Sequence, residues 1–149
     1  MKVSFSQKEY ARLLELVYMG LYVAGAHSEE GSTPERYNEV TQTVLALSES
    51  FGCAHLVDAT EDGTLVPSSQ LEEGHALKVL DQFVDDSFWE ELANRLASRD
   101  LLQELGVSIL PVPLDEAQEA RLEELEQLYW DELQNHGLAR LFLLKGGQG

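Results

Sequence analysis

The chain has 149 residues, of which 27 are acidic and 10 basic, for a formal net charge of −17. That length suits one ordinary domain with a real core, and no apolar run approaches the roughly 20 residues that span a bilayer. A field of this sign repels phosphate, which excludes direct nucleic-acid binding and docking on anionic membranes and leaves a cation or a basic protein partner as what it attracts.

The elements follow from periodicity and capping chemistry. Ser6-Gln7-Lys8-Glu9 is a capping box. Behind it Tyr10, Leu13, Leu14, Val17, Tyr18, Leu21 and Tyr22 recur at helical spacing, predicting a first helix that ends near Gly25 to His27. Leu16, Met19 and Val23 widen its apolar face, so it reads as a central helix covered on several sides. Thr33 with Pro34 starts a second helix, whose stripe of Tyr37, Val40, Val44, Leu47 and Phe51 stops at Gly52. Cys53 is the only cysteine. It excludes an internal disulfide and a thiolate zinc cluster, reads as buried and inert, and points to a reducing cytoplasm. The first residues show no signal-peptide pattern, which agrees with a cytoplasmic location.

Between Cys53 and Ser68 two readings stand. Glu61-Asp62-Gly63 between two short apolar runs suggests a hairpin, with Pro67 confining the second run to an edge. A helical turn at Ala54 to Val57 is the alternative. Ser69-Gln70-Leu71-Glu72 caps a third helix, and Asp85-Asp86-Ser87 breaks it and opens a fourth, which Gly106 closes. Val107 to Pro113 is extended. Asp115 caps a fifth helix running to about His136, with Gly137 as its stop. Leu138 to Leu144 is an apolar run of strand type. The fold class is mainly α: a compact single helical domain over 1–144, of about five helices with one small two-stranded β element, and a flexible C-terminal tail at 145–149.

No nucleotide-binding or nucleophile motif occurs, and no complete metal-ligating set, so no cofactor and no metal is expected. Glu72-x-x-His75 has the spacing of a di-iron ligand pair but lacks a second copy. Asp58-Ala59-Thr60-Glu61-Asp62-Gly63 imitates a calcium loop, yet its twelfth position is Ser69 instead of a bidentate glutamate. Arg95 and Arg99 lie one turn apart where bases are scarce. They could clamp an anion, or serve as counter-ions, with Glu91 placed four residues before Arg95. His27 and Trp89 complete a candidate ligand pocket with these two arginines. The acidity is concentrated beyond residue 60, where 19 acids face 6 bases. On the fifth helix Asp115, Glu116, Glu119, Glu123, Glu124, Glu126, Asp131 and Glu132 surround Arg121 alone. Such a face suits a basic partner, or mimicry of DNA; the commonest role of such a charge run is solvation.

Two segments carry a resemblance. Phe5-Ser6-Gln7-Lys8-Glu9-Tyr10 continuing through Leu13 to Tyr18 and on to His27 is one, and Phe88-Trp89-Glu90-Glu91-Leu92 followed by Arg95-Leu96-Ala97 and Arg99-Asp100-Leu101 is the other. They resemble a group of small, acidic, uncharacterised bacterial proteins with no assigned activity. The resemblance implies a bacterial cytosolic protein and transfers no catalytic residue. The expected function is therefore a non-enzymatic interaction or regulatory protein, compatible with a homodimer, that meets a basic partner through its acidic helices. An enzyme or ligand-binding protein with a pocket around His27, Trp89, Arg95 and Arg99 is the alternative, and a DNA mimic the third reading.

Overall fold

The structure is a computed structural model that describes residues 3–26, 35–110 and 113–142. Five α-helices, two 3-10 turns and one two-stranded antiparallel sheet make up the described elements, in keeping with the predicted mainly helical class. The sequence reads as one domain; the chain divides into two compact units, Met1–Gln82 and Phe83–Gly149. The division falls inside a helix, so no linker composition marks it.

In the first unit, α1 (Gln7–Gly25) starts at the expected box: the Ser6 N–H donates to the Glu9 carboxylate at 2.7 Å, and the Glu9 N–H returns to the Ser6 hydroxyl at 3.3 Å. One face of α1 supplies Tyr10 and Leu14 to a core completed by Leu45, Cys53 and Leu71. The wider apolar face is not covered, however. Leu16 and Val23 are 63% and 59% exposed, so α1 is buried along one stripe only. α2 (Glu35–Ala46) is followed by a 3-10 turn at Glu49–Phe51 instead of continuing as α-helix to Phe51, and its predicted start at Thr33 and Pro34 lies outside the described residues. The tighter turn sets the Phe51 ring parallel to Tyr10, 4.3 Å between centroids. It ends where Gly52 takes φ +70°, the left-handed region open to glycine, and the Gln7 amide donates to the Gly52 carbonyl at 2.7 Å.

Both readings of the next segment are present in succession. A 3-10 turn covers Ala54–Leu56, and β1 (Val57–Ala59) then pairs antiparallel with β2 (Leu65–Pro67), Val57 opposite Pro67 and Ala59 opposite Leu65. The Gln42 side chain acts as a short surrogate strand beside β2. Its amide donates to the Leu65 carbonyl at 2.8 Å and accepts from the Leu65 N–H at 2.9 Å. α3 (Ser69–Glu72) is a single turn. Its boundary residue is Ser68, one before the predicted cap, and the Ser68 hydroxyl donates to the His55 carbonyl at 3.0 Å instead of capping the helix.

The predicted break at Asp85-Asp86-Ser87 is absent. α4 (His75–Leu105) runs through it for 31 residues, and the chain turns at Glu73 and Gly74 instead. Glycine suits that turn: a Cβ on Gly74 would stand 3.1 Å from the carbonyls of Gln70 and Leu71. From His75 to Leu105 there is no glycine or proline, and Asp or Ser inside a helix costs only a few tenths of a kcal/mol. A serine and a glutamate three apart are not sufficient to start a helix when the preceding residues are already helical.

In the second unit the rest of α4 packs with α5 (Glu116–His136) about Ala97, Leu101 and Leu125, flanked by Leu110, Leu122 and Tyr129. Asp115 caps α5 as expected, with Gln118 returning a hydrogen bond to its N–H, and Gly137 closes it with φ +54°. Residues 138–142 form a turn and an irregular end instead of a strand; 143 and 144 and the predicted tail 145–149 lie outside the described residues. Among the described residues no helix is long and apolar enough to cross a membrane.

Candidate functional site

Of the four residues that the sequence groups into a pocket, Trp89, Arg95 and Arg99 are described, and the two arginines do not line the cavity that Trp89 lines. His27 lies outside the described residues. Arg95 is 77% exposed along its side chain and pairs with Glu91 at 2.6 Å, one turn back on the same helix. Arg99 donates to Asp100 at 2.8 Å and to the Tyr129 hydroxyl at 2.9 Å. Both arginines thus face neighbouring acids at the surface. Trp89 points elsewhere: its indole N–H donates to Asp85 at 3.1 Å, and the cavity that it lines contains no arginine.

Arg99, Asp100 and Tyr129 form a closed set that ties α4 to α5. The Tyr129 hydroxyl also donates to the second Asp100 oxygen. Burial would raise the Asp100 pKa, but the hydrogen bonds from Tyr129 and Arg99 outweigh it and hold the carboxyl below its ordinary value. Burial and the adjoining carboxylate push the Tyr129 phenol up. The sign follows for stability. A carboxylate with a depressed folded pKa stabilises the fold above its unfolded pKa, near 4, and loses that contribution as pH falls through the folded value. Asp100→Asn should therefore lower the urea midpoint at pH 7, by on the order of 1 kcal/mol after discounting for solvent. The gap from the wild type should narrow as pH falls below about 4. A gap of equal size at pH 7 and below that range would contradict the assignment.

A different site does form in the second unit. Two cavities of about 500 and 410 Å³ lie between α4 and α5 and share Asp86 and Trp130 in their walls. Asp86, Glu90, Glu123 and Glu126 contribute carboxylates to the first, and Asp85 and Asp86 to the second, which also holds the Trp89 indole. Among the described residues no lysine, arginine or histidine lines either cavity. None of these five acids has a cation within ion-pair distance among the described residues, whereas Glu91, Asp100, Glu104 and Glu124 each do. Arg95, Arg99 and Arg121 of the same two helices are thus engaged by other acids, and the groove keeps its negative charge. Trp130 carries no mark in the sequence because Tyr129 beside it fills the inward stripe. The signal that was available is pairing: the chain has two tryptophans, each set among acids on its own helix.

Other constellations resolve into local structure. Glu72 ends α3 and His75 begins α4, so their spacing does not place them on one helix face. The calcium-like segment is the hairpin turn, where the Asp62 carboxylate accepts from the Thr60 hydroxyl and from the Thr64 N–H and so holds its own backbone. Those hydrogen bonds from Thr60 and Thr64 lower the Asp62 pKa. Cys53 is buried, with its sulfur 3.6 Å from the carbonyls of Gln7 and Phe51. Among the described residues no group of three or more His, Cys, Asp or Glu side chains is gathered closely enough to hold a metal ion. Comparison with known protein families, with curated proteins and with solved structures finds no match for this chain.

Proposed function

We propose that this chain is a non-enzymatic interaction protein that receives a basic segment of a partner protein in the groove between α4 and α5. The observation that carries the reading is the set of lining carboxylates without cation partners beside the indoles of Trp89 and Trp130. The chemistry is complementary to arginine and lysine in two ways. Carboxylates supply charge-assisted acceptors, and an indole face attracts a guanidinium or ammonium group placed over it. The carboxylates are not gathered for a metal ion, which favours a long organic cation over a compact one. A second copy of this chain would bring the same sign of charge, so the groove is better suited to a different protein. The bacterial, cytosolic setting belongs to the same proposal and rests on the sequence resemblance and the single cysteine.

No observation favours the other two readings. The arginines of the proposed ligand pocket are occupied by Glu91, Asp100 and Tyr129. Mimicry of DNA needs a single row of charges. At roughly 100° per residue, Glu116, Glu119, Glu123, Glu124, Glu126, Asp131 and Glu132 spread over about two thirds of the circumference of α5.

The test is calorimetric titration with an amphipathic helical peptide carrying arginines one turn apart. The wild type should bind it, more weakly as salt is raised. Neutralising the first cavity with Asp86→Asn, Glu90→Gln, Glu123→Gln and Glu126→Gln together should weaken binding roughly tenfold or more, from a fraction of a kcal/mol per exposed pair. Equal affinity in the two proteins would exclude this groove as the site.

A further inference from the structure

The first unit holds an independent site of opposite character. A cavity of about 910 Å³ lies between the second half of α1 and the start of α2. Its wall is apolar, built chiefly from Val17, Leu21, Val23, Tyr37 and Val40, and Arg36 stands in it as the sole charged residue among those described. Val23 and Val40 are 59% and 58% exposed, so this apolar surface has no cover within the described chain. The volume is at the upper end of the range of about 300–1,000 Å³ usual for small-molecule sites.

Two features point to a ligand class. Arg36 differs from every other arginine of the chain. Arg12, Arg95, Arg99, Arg121 and Arg140 each hold a carboxylate at 4.0 Å or less, whereas Arg36 makes no ion pair among the described residues, in a protein of 27 acids. Its guanidinium instead lies over the Tyr37 ring, 5.4 Å from the centroid. Gly20 is the second feature. It sits inside α1, where glycine weakens a helix, and a Cβ added there would meet nothing within 4 Å. The exposed glycine therefore marks open space beside α1 that an added side chain would enter.

We infer that this groove binds a monocarboxylic acid with an extended apolar body, its carboxylate on Arg36 and its chain over Gly20. One planar guanidinium matches one carboxylate through two parallel hydrogen bonds, and a doubly charged phosphate would leave charge unmatched in so acidic a protein. Repulsion from acids beyond about 8 Å is screened at physiological salt, which leaves Glu35 and Glu39 of α2 as the near acids that the guanidinium offsets.

The probe is sodium decanoate, titrated below its micelle concentration into the full chain and followed by calorimetry and by amide shifts of α1 and α2. Decanol, with no charge, and butyrate, with little apolar body, are the comparisons. Decanoate should bind more tightly than either. Arg36→Gln should weaken decanoate roughly ten- to a hundredfold, the scale of a hydrogen bond to a charged group, and leave decanol unchanged. Gly20→Leu, which improves helix propensity while filling the floor, should keep the thermal midpoint and abolish binding of both. Unchanged decanoate affinity in Arg36→Gln, or undiminished binding in a folded Gly20→Leu protein, would overturn the inference. So would butyrate binding as well as decanoate.

Discussion

Phe88→Pro should destabilise the protein by about 3 kcal/mol or more beyond Phe88→Ala in urea unfolding followed by circular dichroism. The difference between the two variants isolates the backbone, since both remove the same half-exposed ring. Residue 88 lies inside α4, which runs unbroken from His75 to Leu105. A proline there deletes the hydrogen bond to the carbonyl four residues back and crowds that carbonyl. If the helix instead began at Ser87, residue 88 would be its first position, where proline is accepted at almost no cost. Equal stability of the proline and alanine variants would restore the broken helix. The indole bond from Trp89 to Asp85 crosses the same stretch, so the continuity of α4 also fixes one wall of the acidic groove.

Leu14→Ala should cost about 2–5 kcal/mol, because the residue is wholly buried among Tyr10, Leu45, Cys53 and Leu71 and its removal leaves a cavity. Leu16→Ala, on the same helix at 63% exposure, should change stability by no more than about 0.5 kcal/mol. The contrast tests which face of α1 is buried. Similar losses at the two positions would mean that α1 is covered on both sides, which would also close the groove beside Gly20.

Much of this fold is legible in the residues because its signals are local. The boxes at Ser6 and Asp115 and the stop at Gly137 depend on a few neighbouring side chains, and each lies where the sequence places it. The hairpin is marked by Asp62-Gly63, and Gly63 takes φ +85° in its turn. The errors arise where a local signal competes with its surroundings. Ser87 and Glu90 have the spacing of a cap, but helix already formed on both sides overrides it. The apolar width of α1 suggests burial, yet the residues that would cover Leu16 and Val23 are not supplied by the described chain.

The site was less legible than the fold. Scarcity drew attention to Arg95 and Arg99, but a rare base in an acidic protein is the side chain most readily captured by a nearby carboxylate, as Glu91 and Asp100 capture these. What distinguishes the groove is that such unpaired acids line it from both helices beside the two indoles, and that depends on which residues face each other across α4 and α5. Periodicity gives the faces of a helix and does not give the partner of each face. Arg36 carries no mark in the sequence for the same reason: only the placement of the other arginines against carboxylates reveals it as the exception.

Tryptophan emission offers the most direct test of the proposed role, since Trp89 and Trp130 are the only tryptophans and both line the groove. The arginine-bearing peptide, titrated at low ionic strength, should change the emission saturably. The change should be lost when the four carboxylates of the first cavity are neutralised. Binding seen by calorimetry with emission unchanged would place the partner elsewhere on the protein, and no binding at low salt would contradict the interaction role itself.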